Sequence, residues 1–274
     1  MNSVPKCRQY IDMQDGVAEQ IQLTLEQIER DENVRVIYAC ESGSRAWGFA
    51  SADSDYDVRF LYVRPPQWYL SIQRGRDVIE RPINEGLDVS GWDLPKALQL
   101  FRKSNPPLLE WIQSPIVYCE NGKTISRIRQ LLDDYYSPIS CMHHYLHMAR
   151  GNLREHLQGE EVWVKKYFYV LRPVLACTWI ERGYGVVPME FAALVDRVVD
   201  NSSVRTAIDD LLKRKRLGNE LDRGPRIDVI SDFLQTEIER LSASKPDRAR
   251  SRDTRALDQV FLDALVESFG PSFV

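Results

Sequence analysis

The sequence predicts an α+β protein, in which a small unit of strands and helices is followed by a unit made of helices. Short runs rich in β-branched and aromatic residues alternate with helical periodicity in the first half of the chain. From about Ser137 onward only helical periodicity remains. We therefore assign residues 1–135 to the first unit and residues 136–274 to a helical unit, with a cleft between the two.

The first unit is predicted to contain one long helix and four strands. Apolar residues at helical spacing in QDGVAEQIQLTLEQIERDEN indicate an amphipathic helix that ends near Asn33. Two buried strands follow, VRVIYAC and YDVRFLYVR, and Pro65 and Pro66 end the second. A turn at NEG joins a further pair of strands, DVIERPI and LDVSGWD. The segments DLPKALQLFRKS and NPPLLEWIQSPIVY are predicted to be helical.

The second unit is predicted to be helical throughout, apart from the charged linker SKPDRARSRDTR. Pro173 is expected to kink the second of its helices. The predicted helices are SPISCMHHYLHMARGNLREHL, VWVKKYFYVLRPVLACTWIERG, VPMEFAALVDRVV, SSVRTAIDDLLKRKRLG, RIDVISDFLQTEIERLSA and ALDQVFLDALVESFG.

Composition narrows the class of protein by exclusion. A net charge of −4 and a sequence pI near 5.7 argue against a surface that binds polyanions in general. Two local basic runs, KRKR at 213–216 and RARSRDTR at 248–255, are best interpreted as solvated helix faces or linkers. The sequence shows no apolar run long enough to cross a bilayer and no signal peptide, so we expect a cytoplasmic protein without membrane contact.

The cysteine and histidine residues do not predict a metal centre. The five cysteines are scattered and lack CxxC spacing, which indicates reduced thiols rather than disulfides or a zinc site. His143 and His147 are four residues apart and would share a helix face. Because no third ligand is evident, solvent-facing histidines are favoured over a metal pair.

The segment ESGSRAWGFASADSDYDVRF carries the strongest functional signal. Asp55 and Asp57 are two apart at the start of a strand, so their carboxylates share one face, roughly 6–7 Å apart at Cα. Two like charges held together favour a hard cation such as Mg²⁺. Gly43 and Ser44 follow the preceding strand and open a possible helical turn, a place that favours a phosphate. A capped loop is the alternative for DSD alone, and the combination favours a phosphate site facing a metal site.

These motifs also carry a family resemblance. GSRAWG at 43–48 and DSDYD at 53–57 resemble the signature of the DNA polymerase β nucleotidyltransferase superfamily. Within it, the stretches ESGSRAWGFASADSDYDVRFLYVRPPQWYL, GWDLPKALQLFRKSNPPLLEWIQSPIVY and KKYFYVLRPVLACTWIERG resemble the RlaP family, the RNA-ligase-associated polymerase β proteins, also described as YcgL-like. The resemblance is strong between residues 36 and 183 and weaker beyond.

The resemblance implies a mixed sheet flanked by helices and a set of site residues. Gly43 and Ser44 match the motif that binds nucleotide phosphates. Asp55 and Asp57 match the paired aspartates that hold two Mg²⁺ ions, for which Mn²⁺ can substitute. A third metal-binding carboxylate is implied on a neighbouring strand. Asp88 fits this role best and Asp77 is the competing candidate.

The resemblance further implies that the helical unit closes over the nucleotide. Helical units in this superfamily supply basic and aromatic groups to the triphosphate and base. Lys165, Tyr169 and Arg172 have spacings of four and three and would share a helix face, with Lys166 beside it. Arg45, next to the GS turn, is a further nucleotide-binding candidate. Surface lysines on an apolar helix remain the alternative for Lys165 and Lys166.

Taken together, the residues and the resemblance imply a metal-dependent nucleotidyltransferase. The expected reaction transfers a nucleoside monophosphate from an NTP, with ATP favoured, to an acceptor hydroxyl and releases pyrophosphate. An RNA end is the favoured acceptor, while a protein side chain or a small molecule remains open. The alternative of another class is an inactive nucleotide-binding module, which would be expected to have lost part of the acidic set.

Overall fold

The computed structural model of the chain describes residues 16–73, 75–84, 86–218, 222–243 and 253–271. Strands and helices alternate up to about residue 135, and helices dominate the rest, as the sequence predicts. The strands are β1 (Arg35–Glu41), β2 (Tyr56–Val63), β3 (Val78–Glu80), β4 (Leu87–Asp93), β5 (Val117–Glu120), β6 (Glu161–Trp163) and β7 (Arg223–Pro225). The α-helices are α1 (Val17–Glu32), α2 (Pro66–Tyr69), α3 (Leu94–Arg102), α4 (Pro106–Trp111), α5 (Thr124–Gln130), α6 (Leu132–Tyr135), α7 (Pro138–His156), α8 (Tyr167–Glu181), α9 (Phe191–Val198), α10 (Ser202–Arg216), α11 (Asp228–Ala243) and α12 (Arg255–Phe269).

The main sheet is mixed, with five strands in the order β3-β4-β2-β1-β5. β1 pairs antiparallel with β2 and with β5, and β3 pairs antiparallel with β4. β2 and β4 are parallel, and their register places Asp57 opposite Asp88. The predicted α+β class and mixed sheet are therefore confirmed, and the sheet brings two of the candidate carboxylates onto neighbouring strands.

The fifth strand of this sheet corrects one prediction. Val117 and Tyr118 were expected to end a run of short helices, but they begin β5. β5 adds to the free edge of β1, where Tyr38 lies opposite Glu120 and Ala39 opposite Cys119. The local sequence VYCE is short and β-branched at one position only, so pairing with a distant strand decides its conformation.

The segment before α8 corrects a second prediction. Residues 161–163 form β6, which pairs with β7 in a separate two-stranded sheet. A 3₁₀-helix, Val164–Lys166, then leads into α8, which begins only at Tyr167. Lys165 and Lys166 therefore lie before the helix and not on its face with Tyr169. Pro173 lies inside α8, as expected.

The core lies on both faces of the five-stranded sheet. α1 covers one face, where Ile21 and Ile28 pack in a cluster with Val58 and Phe60. The other face packs on the helices, and its apolar cluster continues through α3, α7 and α12 to α8. α8 is buried over most of its length and is the central helix of this layer. None of the helices in the described ranges is both long and apolar enough to span a lipid bilayer.

Candidate active site

The chain leaves β1 through a series of tight turns. The N–H of Trp47 donates to the carbonyl of Gly43 at 3.0 Å, and the N–H of Phe49 donates to the carbonyl of Ser44 at 3.1 Å. Gly48 reverses the chain with a φ of 87°. The GS segment is therefore a hydrogen-bonded turn, where the sequence allowed a helical turn. Within the described residues the Ser44 hydroxyl makes no protein hydrogen bond, so it is available to a ligand.

Gly43 is in close contact with the carboxylate of Asp57. A Cβ atom at position 43 would lie 1.7 Å from Oδ2 of Asp57. Asp57 therefore packs against the turn only because residue 43 has no side chain. The turn is also joined to β2 through its backbone, since the N–H of Ser42 donates to the carbonyl of Asp57 at 2.9 Å.

An arginine that the sequence analysis did not single out bridges two of the candidate carboxylates. Nη2 of Arg59 lies 2.7 Å from Oδ2 of Asp88 and 3.4 Å from Oδ1 of Asp57. Nη1 of the same guanidinium donates to the carbonyls of Val58 and Asp88. Arg59 is two residues after Asp57, so the period of a strand already places it on the same face.

The electrostatics of this cluster favour an added cation. Burial raises the pKa of Asp57 to about 6; Arg59 opposes this shift, and the charges of Glu41, Asp88 and Asp55 add to it. Within the described ranges, no group of three or more His, Cys, Asp or Glu side chains is already arranged to hold a metal ion. This also applies to the three histidines near residue 145. Crowded carboxylates with a single bridging guanidinium nevertheless form an oxygen donor set suited to Mg²⁺, provided that Arg59 gives way.

The remaining acidic candidates differ in position. Asp55 is exposed, and its Oδ1 lies near the backbone of Gly86 in the turn before β4. Asp77 lies near the opposite end of β4, where its carboxylate accepts from Nζ of Lys96 at 2.9 Å and its carbonyl accepts from the N–H of Asp93. Asp88, and not Asp77, therefore lies beside Asp57.

Glu41, whose role the sequence left open, connects the parts of this site. Its side chain is fully buried at the end of β1. Oε1 accepts from the N–H of Gly43 at 3.1 Å and from the N–H of Asp57 at 2.9 Å. Oε2 accepts from the Tyr118 hydroxyl at 2.5 Å. One buried carboxylate thus holds the turn, β2 and β5 in fixed relation.

Arg45 supports the loop that carries the aspartates. Its guanidinium donates to the carbonyls of Ser54 at 2.6 Å and Asp55 at 3.3 Å. It also lies over the Tyr56 ring, 3.7 Å from the ring centroid. Because backbone carbonyls already use these donors, the contacts of Arg45 are those of a loop-positioning residue.

Aromatic and basic groups from beyond residue 160 face this loop. The Tyr169 ring packs edge-on against Trp47 at 5.6 Å, and Nζ of Lys166 lies 4.5 Å from the Tyr169 centroid. Burial raises the pKa of Tyr169, and the negative charges of Asp57 and Asp55 raise it further. Lys165 is exposed. Hydrogen bonds with Ser51 and the backbone lower the pKa of Asp53, and the charges of Lys215 and Lys165 lower it further.

The C-terminal end of α10 supplies two further basic contacts. Nζ of Lys215 lies 2.9 Å from Oγ of Ser51 and 3.3 Å from Oγ of Ser54, and Arg216 donates to the carbonyl of Gly48. Burial lowers the pKa of Lys215, and the charge of Lys165 lowers it further. The KRKR run was interpreted as a solvated face, but two of its members contact the aspartate loop. The second basic run lies outside the described residues up to position 252.

Arg172 does not lie on this surface, contrary to the sequence-based expectation. It is 3% exposed, and its Nη1 forms an ion pair with Oε1 of Glu110 at 2.5 Å. Its Nη2 donates to the carbonyls of Pro188 and Met189. The periodicity that grouped Arg172 with Tyr169 was correct for α8, but it could not show that this position faces the core.

Comparison with known proteins assigns the family. Residues 17–263 match RlaP, described as the RNA repair pathway DNA polymerase beta family. This chain belongs to the RlaP family. The match covers most of the chain and spans the candidate site residues described above, from Glu41 to Lys215.

This RlaP chain was also compared with two individual proteins, and only the first comparison gives high similarity. It is 51% identical over 245 residues to the uncharacterized protein YcgL of Bacillus subtilis (strain 168), which covers 89% of this chain and 94% of YcgL. It also aligns with a nucleotidyltransferase-like protein from Exiguobacterium sibiricum 255-15, over 93% of this chain and 91% of that one. That alignment has 10% identity and a TM-score of 0.32, too low to support a conclusion about this protein.

Proposed function

We propose that this protein is a nucleotidyltransferase that transfers a nucleoside monophosphate from an NTP to an acceptor hydroxyl and releases pyrophosphate. ATP is the favoured donor, and an RNA end is the favoured acceptor because the family is described by RNA repair. The observation that carries the proposal is the placement of Asp57 opposite Asp88 on parallel strands, with the Asp57 carboxylate packed against Gly43. A phosphate bound at this turn would lie beside both carboxylates.

The carboxylates of Asp55, Asp57 and Asp88 would hold two Mg²⁺ ions. When bound, these ions would lower the pKa of the acceptor hydroxyl and offset the charge of the phosphates. Arg59 neutralises Asp57 and Asp88 when they hold no metal, and it would turn toward the developing charge of the phosphates when they do. Glu41 keeps the turn and β2 at a fixed separation, so that phosphate and carboxylates meet in one geometry.

The residues beyond 160 would bind the donor nucleotide. Ser44 and the turn N–H groups would hold the phosphates from one side. Lys165, Lys166 and Lys215 would contact the triphosphate from the other side, while Tyr169 would offer an aromatic face to the base. In this proposal residues 1–135 supply the carboxylates, and residues 136–274 supply the groups that close over the nucleotide.

A transfer assay with matched carboxylate variants tests the proposal. Each α-labelled NTP would be incubated with Mg²⁺, total RNA and cell protein. Label should enter RNA with one preferred NTP, and Asp57→Asn and Asp88→Asn should each lower the rate at least about a hundredfold. Asp77→Asn is the matched control, because this carboxylate is exposed and pairs with Lys96 near the other end of β4.

The outcomes separate the competing functions. If label enters protein, the acceptor is a protein side chain and not an RNA end. If label enters neither fraction while the protein binds NTP only with Mg²⁺, a small-molecule acceptor or a binding module would be indicated. Equal loss of activity in Asp77→Asn and Asp88→Asn would contradict the assignment of the third carboxylate.

A further inference from the structure

A second cleft lies away from the aspartates, between α3, the first half of α7 and α12. Its volume is about 920 Å³, which is within the range typical of sites for small organic ligands. β4 carries Asp88 at its start and leads into α3 after its end, so the cleft and the candidate active site lie toward opposite ends of this strand. α7 is 19 residues long, about 28 Å. Its first half lines the cleft, whereas Lys165 follows its C-terminal end in the chain.

Basic side chains outnumber acidic ones in the lining of the cleft. The cationic or protonatable groups are Arg102, Lys103, His143, His144 and His147. Asp258 on α12 is the one carboxylate among the lining residues that the structure describes. Lys103 forms no ion pair with another described residue, and the three histidines are exposed. Burial lowers the pKa of His144, and the neighbouring His143, His147 and Lys103 lower it further. An anion bound beside these groups would favour their charged forms.

The rest of the lining offers apolar surface and hydroxyl groups. Ser137 and Ser140 lie in the first turn of α7, and Leu98, Leu257 and Phe261 form an apolar wall. The Phe261 ring packs edge-on against Tyr69, with centroids 4.9 Å apart, which holds it in place. A ligand that matches this lining carries phosphate at one end and a flat or apolar group at the other.

We propose that this cleft binds a nucleotide unit, with its phosphate against Lys103 and the α7 histidines and its base against the apolar wall. A free nucleotide and a segment of single-stranded RNA share this chemistry. The cleft contains none of the proposed active-site residues, so the inference does not depend on the proposed function.

The histidine spectrum of the protein offers a direct test. The sequence contains four histidines, and the fourth, His156, lies at the C-terminal end of α7, outside the cleft. In protein labelled with ¹⁵N-histidine and kept in EDTA, AMP should shift the imidazole signals of His143, His144 and His147 in a saturable manner. The His156 signal should not move, and sodium chloride at matched ionic strength should not reproduce the shifts. Assignment follows from single His→Gln variants.

Variants and a second probe complete the test. Lys103→Glu should weaken AMP binding at least about tenfold, while Asp57→Asn should bind AMP with unchanged affinity. A ten-residue oligoadenylate that saturates at a concentration at least about tenfold lower than AMP would identify an RNA strand as the ligand; equal saturation would identify the free nucleotide. Absence of saturable shifts, equal movement of His156, or unchanged binding by a folded Lys103→Glu variant would overturn the proposal.

Discussion

At the scale of single residues, Glu41 is the residue on which the geometry of the candidate site depends most. It is a buried ionisable group that forms no ion pair with an arginine or lysine in the described part of the chain, and three hydrogen bonds compensate for its burial. Two of these donors are backbone N–H groups that belong to the GS turn and to Asp57. A change at Glu41 therefore alters the separation between the GS turn and the carboxylate of Asp57, which we propose bind phosphate and metal, without replacing either of them.

Glu41→Gln should reduce the free energy of unfolding by about 1–2 kcal/mol, because a neutral acceptor makes weaker hydrogen bonds. It should lower kcat about tenfold and leave the affinity for NTP nearly unchanged, since the phosphate contacts remain. Tyr118→Phe is the matched control, because it removes the hydrogen bond to Oε2 and leaves both backbone hydrogen bonds to Oε1 in place. Urea unfolding and single-turnover kinetics measure both effects. A Glu41→Gln variant with normal kcat would contradict the positioning role.

The ionisation of Asp93 leads to a prediction about how stability depends on pH. Burial raises its pKa to about 6, while the hydrogen bond from Tyr69 and the charge of Arg64 oppose this shift. The unfolded chain loses this proton near pH 4, so between about pH 4 and 6 the native state binds more protons than the unfolded state. The contribution of Asp93 to stability therefore falls as pH rises through this window and is constant above it.

Asp93→Asn should remove this loss, because an amide oxygen can still accept from Tyr69 but does not ionise. Relative to the unmodified protein, the variant should gain about 2 kcal/mol in the free energy of unfolding between pH 4 and pH 7. Denaturant unfolding at both pH values measures the difference, and Asp210→Asn, which changes an exposed carboxylate on α10, serves as control. A constant difference between variant and unmodified protein across this range would rule out the assigned ionisation.

At the scale of secondary-structure elements, the end of α10 is joined to the loop between β1 and β2. The last turn of α10 contains four basic residues, and its carbonyl end favours positive charge. The contacts of Lys215 with two serine hydroxyls orient its ammonium group near Lys165. A lysine whose charge is disfavoured by burial and by a neighbouring lysine is typical of an anion-binding position.

Lys215→Met should raise the KM for NTP about tenfold and change the free energy of unfolding by less than about 1 kcal/mol, because its contacts are polar and partly exposed. Lys213→Met is the matched control from the same helix, since Lys213 is exposed and pairs only with Asp210 in the described structure. Steady-state kinetics at several NTP concentrations separate KM from kcat. Equal effects of the two variants would show that α10 provides only general positive charge.

At the scale of the whole molecule, a buried charged network joins the helices beneath the site. Arg172 on α8 pairs with Glu110 on α4, which also accepts from the Tyr145 hydroxyl on α7 at 2.7 Å. The same guanidinium holds the carbonyls of residues 188 and 189 and lies 5.2 Å from the Trp47 ring centroid. The network therefore connects α4, α7 and α8 with Trp47, which follows the GS motif in the same turn.

Arg172→Met should lower the free energy of unfolding by about 3 kcal/mol or more, because it leaves Glu110 buried and unpaired. The double variant with Glu110→Leu should recover part of this loss. Arg182→Met, which breaks an exposed ion pair just after the same helix, should cost less than about 1 kcal/mol. Thermal and urea unfolding measure the series. Well below the melting temperature, the affinity of Arg172→Met for NTP should be unchanged. A loss of NTP affinity in the folded variant would support the nucleotide-binding role that the sequence predicted for Arg172.

The sequence by itself determined the features that depend on local pattern. Strand and helix periods predicted β1, β2, the β3–β4 pair and most helices. Asp55 and Asp57 were predicted to lie on one strand, but β2 begins at Tyr56, so Asp55 lies just before it. The choice of Asp88 as a candidate also came from the sequence, through its strand and the family resemblance. Strand and helix periods depend only on neighbours along the chain, so one sequence is sufficient to predict them.

Only the tertiary structure decided which side chains meet. β5 forms because β1 has a free edge, and the segment before α8 is a strand because β7 pairs with it. Arg59 and Glu41 join residues of different elements, Lys215 reaches a loop more than 150 residues earlier, and Arg172 is drawn into the core by Glu110. Burial and long-range partners, and not local period, set these contacts, because a charged side chain takes its role from the groups that surround it in the folded chain.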